Sequence, residues 1–178
     1  VGFGGSCFQK DILNLVYLCK YYGLEEVAEY WHQVIKINDY QKNRFAQKII
    51  DHFGGDLTGK KITVLGWAFK ENTNDSRESP AIYVAEKLFK AGAILEIYDP
   101  MVSKESIFSD INFYWEASKT EDLKAQISVR DSLNTLDLSF DATAILTEWE
   151  VFKNLDFSKT VVFDGRGVLS SSRYSIGI

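Results

Sequence analysis

Cysteine and histidine are both scarce in this chain, which has two residues of each among 178. Two cysteines are too few for a disulfide scaffold, and on one helix the twelve-residue separation of Cys7 and Cys19 would span about 18 Å, beyond the reach of a disulfide. We therefore expect reduced thiols and a cytoplasmic protein. His32 and His52 have no Cys or carboxylate partners at ligand spacing, so no metal site is predicted.

Long apolar runs and clusters of basic residues are missing as well. No run approaches the roughly 20 apolar residues of a membrane span, and the chain opens on glycines rather than on a basic stretch followed by an apolar one. Twenty basic against 25 acidic residues give a net charge of -5, so neither a membrane nor nucleic acid is an expected partner. The 46% of hydrophobic residues instead predicts a soluble protein with one sizeable core. Because the chain begins at Val1 inside a glycine loop, we expect it to be a piece of a longer protein.

Helical periodicity fills the first 56 residues. Ser6 is a candidate cap for a helix whose apolar residues recur at helical spacing until Gly23. A longer helix is predicted from about Glu25 to about Phe53, where two glycines follow. A helix of this length usually joins or spaces structural units.

A different pattern begins at Lys61, where short apolar or β-branched runs alternate with helical stretches. Such alternation is typical of a parallel sheet with helices on both faces. Strands are predicted at Ile62–Leu65, Ile94–Tyr98, Ala142–Leu146 and Val161–Phe163, with a weaker candidate at Ile127–Val129, and helices at about 79–91, 131–136 and 151–155; residues 102–124 give no clear pattern. The predicted fold class is therefore α/β, with a helical segment at 1–56 followed by a Rossmann-like domain at 57–178.

Cys7 stands where a glycine loop runs into a helix, in the string GFGGSCFQKD. The unpaired amides and the positive end of the helix dipole favour an anion there, which for a thiol is the nucleophilic thiolate. Lys10 and Asp11 follow three and four residues later, so a helix returns both to the face of Cys7. The alternative is a small buried apolar cysteine, which is the common role of this residue and the expected one for Cys19.

Charged residues also follow two of the predicted strands. Lys70 and Arg77 come after the strand that ends at Gly66, and Arg166 follows the turn at Asp164 and Gly165, so all three lie near the carboxyl edge where open α/β sheets bind ligands. The GxGxxG fingerprint of a standard NAD loop is absent. Solvated surface charges are the alternative interpretation.

Five strings resemble the UDP-glucose/GDP-mannose dehydrogenase family, and in particular its UDP-glucose dehydrogenases. They are GFGGSCFQKD with the helices after it, KKITVLGWAFKENTNDSRESP, the residues 97–100, TEW at 147–149 and FDGRGVL. The resemblance implies a cysteine nucleophile at Cys7 and, at Asp11, a carboxylate that assists a water molecule. Phe3 and Gly4 would lie against the sugar and its diphosphate, and Lys10 would border the nicotinamide.

In the second half, the resemblance implies that Phe69 and Lys70 hold the nucleotide sugar and that Arg77 reaches the diphosphate of NAD. Arg166 would contact the substrate. Two positions depart from the family pattern, since Trp67 replaces a usual Phe and Gly167 stands where a second basic residue is common. No chemistry is assigned to TEW.

The implied reaction is the NAD-dependent oxidation of UDP-glucose to UDP-glucuronate, without a metal. It requires an NAD-binding domain that this chain lacks, so we expect no turnover by the chain alone. A homo-oligomer, at least a dimer, is expected through the long helix, whose exposed aromatic candidates are Tyr30, Tyr40 and Phe45. The alternatives are a dehydrogenase of GDP-mannose or of a UDP-N-acetyl-hexosamine, a catalytically silent nucleotide-sugar-binding or dimerisation module, and a cysteine hydrolase, for which no suitable His partner is found.

Overall fold

The computed structural model describes residues 1–115 and 125–169. Within these ranges the elements in chain order are α1 (Ser6–Tyr21), α2 (Glu25–His52), β1 (Lys61–Leu65), α3 (Pro80–Lys90), β2 (Ile94–Tyr98), α4 (Lys104–Tyr114), β3 (Ile127–Val129), β4 (Ala142–Ile145) and β5 (Val161–Asp164), with short 3-10 helices at Leu133–Thr135 and Glu150–Asn154. No described helix is both long and apolar enough to cross a membrane.

The five strands form one parallel sheet in the order β3-β2-β1-β4-β5. Consecutive residues of β1, β2 and β4 are buried, which requires cover on both faces of the sheet. The predicted Rossmann-like α/β fold is thus confirmed. The chain runs outward from β1 to β3 and then crosses back to β4, so the topological switch point lies between β1 and β4.

The two N-terminal helices pack against each other and are joined by a short turn at Gly23, where the first helix was predicted to stop. The prediction that Ser6 caps α1 is wrong, because Gly5 occupies the N-cap and gives no side-chain hydrogen bond, while Ser6 is the first helical residue. Phe45 was expected to be exposed, but it is only 5% exposed and packs in the main core. The second half of α2 therefore belongs to the hydrophobic core of the α/β half.

The structure fills one stretch that had no prediction and corrects a second one. Helix α4 occupies part of the stretch without a clear pattern, where Ser103 caps it by accepting a hydrogen bond from the Ser106 amide; residues 116–124 lie outside the described residues. The helix predicted at 131–136 is only a single 3-10 turn. It stops because the Asp137 amide donates to the Glu96 carboxylate on β2, at 2.9 Å, instead of continuing the helix.

Candidate functional site

Cys7 is the second residue of α1 and its side chain is exposed to solvent. Cys19, by contrast, is buried in a small cluster with Val16 and Ala28, as predicted. The two thiols are not joined to each other. The Cys7 thiol is therefore accessible from solvent at the start of α1.

The glycine loop before Cys7 packs directly on the α/β half. The Gly5 amide donates to the Arg77 carbonyl at 3.0 Å. A Cβ atom on Gly4 would lie 2.7 Å from the Glu78 carbonyl oxygen, and one on Gly5 would lie 3.1 Å from the Phe69 ring. Gly5 also has a φ of +87°, which side chains rarely tolerate. Only glycine lets the loop approach this closely.

Asn38 of α2 holds the same loop from the opposite side. Its Oδ1 accepts from the Phe3 amide at 2.8 Å and its Nδ2 donates to the Phe3 carbonyl at 3.0 Å. Asn38 is only 2% exposed, so these bonds satisfy an otherwise costly buried amide. The residue was not among the predicted site residues, although a polar side chain on the apolar stripe of a long helix was a usable signal.

Lys10 and Asp11 both project into solvent, with side chains 75% and 71% exposed. Lys10 Nζ lies 4.0 Å from Asp11 Oδ1, so the pair forms only a loose ionic contact. Phe3 contacts Phe8 edge to face, with ring centroids 4.8 Å apart. The structure therefore leaves both charged groups accessible near the start of α1.

Arg77 is held in a two-bond clamp by Asp75. Its Nε and one terminal nitrogen donate to the two carboxylate oxygens at 2.9 and 2.8 Å. These bonds hold the pKa of Asp75 below its usual range. The same bonds raise the pKa of Arg77.

Lys70 and Arg166 extend from the carboxyl ends of β1 and β5, beside the switch point. Arg166 donates to the carbonyls of Leu146 and Phe69 at 2.9 and 3.3 Å, and its Nε lies 3.4 Å from Glu148 Oε2. Burial lowers the pKa of Arg166, and the Glu148 carboxylate opposes that shift. Lys70 is exposed, with its Nζ 5.5 Å from the centre of the Phe69 ring.

Phe69 links the predicted site residues, because its ring contacts Gly5 and its carbonyl accepts from Arg166. The glycine loop, Arg77 and the carboxyl edge of the sheet thus form one continuous set of contacts. Lys10 and Asp11 remain outside this set, paired with each other.

Asp99, at the end of β2, is a further residue that the sequence did not single out. Its carboxylate accepts from the amides of Trp67, Ala68, Met101 and Val102 and from the indole of Trp149, at 2.7 to 3.0 Å. In dinucleotide-binding sheets an acidic residue near this strand end bonds the ribose. Here the carboxylate is buried and fully occupied by the protein, so it fixes the turn after β1 instead.

A parallel sheet with basic side chains at its switch-point edge has the architecture of nucleotide-binding α/β proteins. The chain belongs to the UDP-glucose/GDP-mannose dehydrogenase family. Residues 1–40 match the central domain of that family, and residues 63–171 match its UDP-binding domain.

Individual relatives agree with this assignment. UDP-glucose 6-dehydrogenase 2 of Arabidopsis thaliana is 46% identical over 202 aligned positions, which cover 99% of this chain and 42% of the relative. UDP-glucose 6-dehydrogenase of Bos taurus is 47% identical, with coverage of 95% and 36%. A solved UDP-glucose dehydrogenase structure from Pyrobaculum islandicum superimposes with a TM-score of 0.75 at 32% identity, covering 98% of this chain and 37% of that one. This chain thus spans about two fifths of the length of its relatives.

Proposed function

We propose that this chain supplies the cysteine nucleophile and the nucleotide-sugar grip of a UDP-glucose 6-dehydrogenase. The reaction would oxidise UDP-glucose to UDP-glucuronate, consume one water and reduce two NAD to NADH. The observation that carries this proposal is the packing of the glycine loop, directly before Cys7, on Phe69 and Arg77 of the α/β half. Relatives named UDP-glucose 6-dehydrogenase, which match nearly the whole chain, support it.

The proposed role of Cys7 is covalent. Its thiolate attacks the aldehyde carbon produced by a first oxidation, which forms a C–S bond and a thiohemiacetal. Loss of a hydride from that carbon gives a thioester, and water then breaks the C–S bond to release the acid and return the thiol. The exposed Asp11 carboxylate, one turn further along α1, would orient this water.

NAD, when bound, accepts the hydride. Two residues of this chain fit its requirements: Arg77 has an exposed guanidinium suited to a diphosphate, and Lys10 has an exposed ammonium near the start of α1. The remainder of the NAD site would belong to a domain outside residues 1–178. We therefore propose that this chain alone does not turn over UDP-glucose.

The substrate diphosphate and sugar would lie between the two halves of the chain, 1–56 and 57–178. Phe3 and Gly4 would contact them from the glycine loop, and Phe69, Lys70 and Arg166 from the sheet edge. The Arg166 side chain is only 19% exposed, and its guanidinium is held by two carbonyls. A fixed, partly buried cation binds a diphosphate with little loss of conformational entropy.

Calorimetric titration of UDP-glucose into the 178-residue chain tests the proposed substrate binding. Lys70→Ala should weaken binding by about tenfold or more, because a charged hydrogen bond to phosphate is lost. The matched control is Lys61→Ala, an exposed lysine at the opposite end of β1, which should leave affinity unchanged. Equal losses in the two variants, or no measurable binding of UDP-glucose, would contradict the proposal. Tighter binding of GDP-mannose or of a UDP-N-acetyl-hexosamine would reassign the substrate.

Two further measurements separate the enzyme from a silent binding module. Mixing the chain with UDP-glucose and NAD should produce no NADH absorbance. Cys7 should be alkylated by iodoacetamide faster than a free cysteine, and bound UDP-glucose should slow that reaction. A Cys7 that reacts no faster than a free thiol would favour the silent module.

We also propose that two copies of the chain pair through α2. Tyr30, Ile37 and Tyr40 share one face of this helix and are 69%, 61% and 61% exposed. Sedimentation should show a dimer, and Ile37→Glu should shift it towards monomer. A strictly monomeric unmodified chain would count against this pairing.

A further inference from the structure

Glu78 has a backbone conformation that glutamate rarely adopts. Its φ is +57°, in the left-handed region, where a side chain with a Cβ atom is strained. Asn72, in the same loop, has a φ of +59°, but asparagine tolerates this region far better. Such strain persists only where surrounding contacts hold the residue in place, and it concentrates at functional sites.

The contacts that hold Glu78 come from three separate helices. Its Oε2 accepts from Gln9 Nε2 of α1 at 3.1 Å and from the Tyr83 hydroxyl of α3 at 2.6 Å. Its backbone amide donates to the Tyr114 hydroxyl of α4 at 3.4 Å. Through Gln9, the carboxylate connects the helix that carries Cys7 to the α/β half.

Gln9 lies two residues after Cys7, so the two side chains leave α1 about 200° apart around the helix axis. A bond that anchors Gln9 to the α/β half therefore fixes which side of the helix Cys7 presents. The backbone of the same segment limits the loop before the helix, because the Arg77 carbonyl accepts from the Gly5 amide and the Glu78 carbonyl lies against Gly4. The side chain of Glu78 thus contacts α1, and the backbone of Arg77 and Glu78 contacts the glycine loop.

We propose that Glu78 is a positioning residue that orients Cys7 for attack on the substrate, acting through Gln9 and without touching the reacting atoms. This inference rests on the proposed role of Cys7 as the nucleophile. Its test, however, requires neither UDP-glucose nor NAD, so the two ideas fail separately.

The first experiment compares Glu78→Ala with Asn72→Ala by amide hydrogen exchange on the 178-residue chain. Both variants place alanine at a positive φ in the same loop, but only the first removes the bond to Gln9. Residues 9–12, the first whose amides bond within α1, should exchange at least about tenfold faster in Glu78→Ala alone, because a hydrogen bond to a charged group is lost. Alkylation of Cys7 by iodoacetamide, followed by mass spectrometry, should slow about threefold as the helix start frays. Exchange and alkylation within twofold of the Asn72→Ala values would overturn the proposal.

A stricter test exchanges the amide and the carboxylate between positions 9 and 78. Gln9→Glu places two carboxylates side by side and should loosen residues 9–12 as Glu78→Ala does. Adding Glu78→Gln recreates a carboxylate and amide pair in the opposite sense, and should return exchange and alkylation to the unmodified values. A double variant that stays loose would overturn the proposal. If Glu78→Ala loses protection throughout β1 to β5, Gln9→Ala replaces it, since that change removes the same bond without altering the strained residue.

Discussion

The two halves of this chain bury their apolar side chains to very different degrees. Residues 1–40 expose most of the large hydrophobic side chains that reach solvent, namely Phe8, Leu13, Tyr17, Leu18, Tyr21, Tyr22, Leu24, Val27, Tyr30, Ile37 and Tyr40, whereas the described part of the α/β half exposes only Met101, Phe113 and Val151. The hairpin's own cluster has just three buried residues. The α/β half therefore contains most of the described hydrophobic core, while α1 and its glycine loop are bonded to Asn38, Arg77 and Glu78.

The largest loss of stability is expected from Asp99→Ala, in the well-buried α/β half. Four backbone amides and the Trp149 indole would lose their acceptor inside the sheet edge. Because each unsatisfied buried donor costs about 1–3 kcal/mol, the free energy of unfolding should fall by about 4 kcal/mol or more. Urea denaturation followed by circular dichroism measures the change.

Asp110→Ala is the matched control for that prediction. Asp110, on α4, accepts a hydrogen bond from the Trp67 indole at 2.9 Å, and that bond is only partly buried. Its loss should cost about 1 kcal/mol. Comparable losses for the two aspartates would show that Asp99 does not organise the turn after β1.

An intermediate effect is expected from a pair of leucines, one in each half. Leu95 on β2 is fully buried, while Leu18 on α1 is 41% exposed. Leu95→Ala should lower the free energy of unfolding by about 2–5 kcal/mol, because it leaves a cavity in a close-packed core. Leu18→Ala should change it by no more than about 0.5 kcal/mol. A large loss at Leu18 would indicate that the exposed face of the hairpin is covered, for instance in a dimer.

Sequence patterns predicted the framework of this fold well because helices and strands have local periodicity. The predicted bounds of β2 and β3 agree with the structure, and α2 ends one residue before the predicted Phe53. Cys7 was likewise placed correctly at the start of α1. In each of these cases the residues that predicted the element are neighbours in the sequence.

The missed residues are those whose partners are distant in sequence. Glu78 bonds Gln9 across 69 positions and Asn38 bonds Phe3 across 35. For Glu78 nothing local distinguishes the side chain from a solvated one, and for Asn38 the interrupted apolar stripe of α2 marks the residue but not its partner. Ser6 failed as a cap for a related reason, since the contact of Gly5 with Arg77 and Phe69 sets where α1 begins.

The smallest effect is expected from lowering the pH, which should loosen the contact between the glycine loop and the α/β half. Arg77 holds the Cys7 loop through its carbonyl, while Asp75 clamps its guanidinium. Because Arg77 depresses the folded-state pKa of Asp75, the clamp contributes stability above the ordinary carboxyl value of 3.8 and loses it as the pH falls through the lower folded value. Below that value the Gly5 amide should exchange faster, by no more than about fivefold, since partly exposed ion pairs are weak.

Amide exchange measured against pH, with each rate divided by that of an unstructured peptide, checks this expectation. Asp75→Asn and Arg77→Gln should each remove the acid-dependent step at Gly5, because the pair acts as a unit, and the double variant should add nothing further. The amides of β1 and β4 should show no matching step, since those strands are buried on consecutive residues. A step that appears equally in the sheet would mean that acid loosens the whole α/β half, and the clamp would then have no separate role in holding the loop of Cys7.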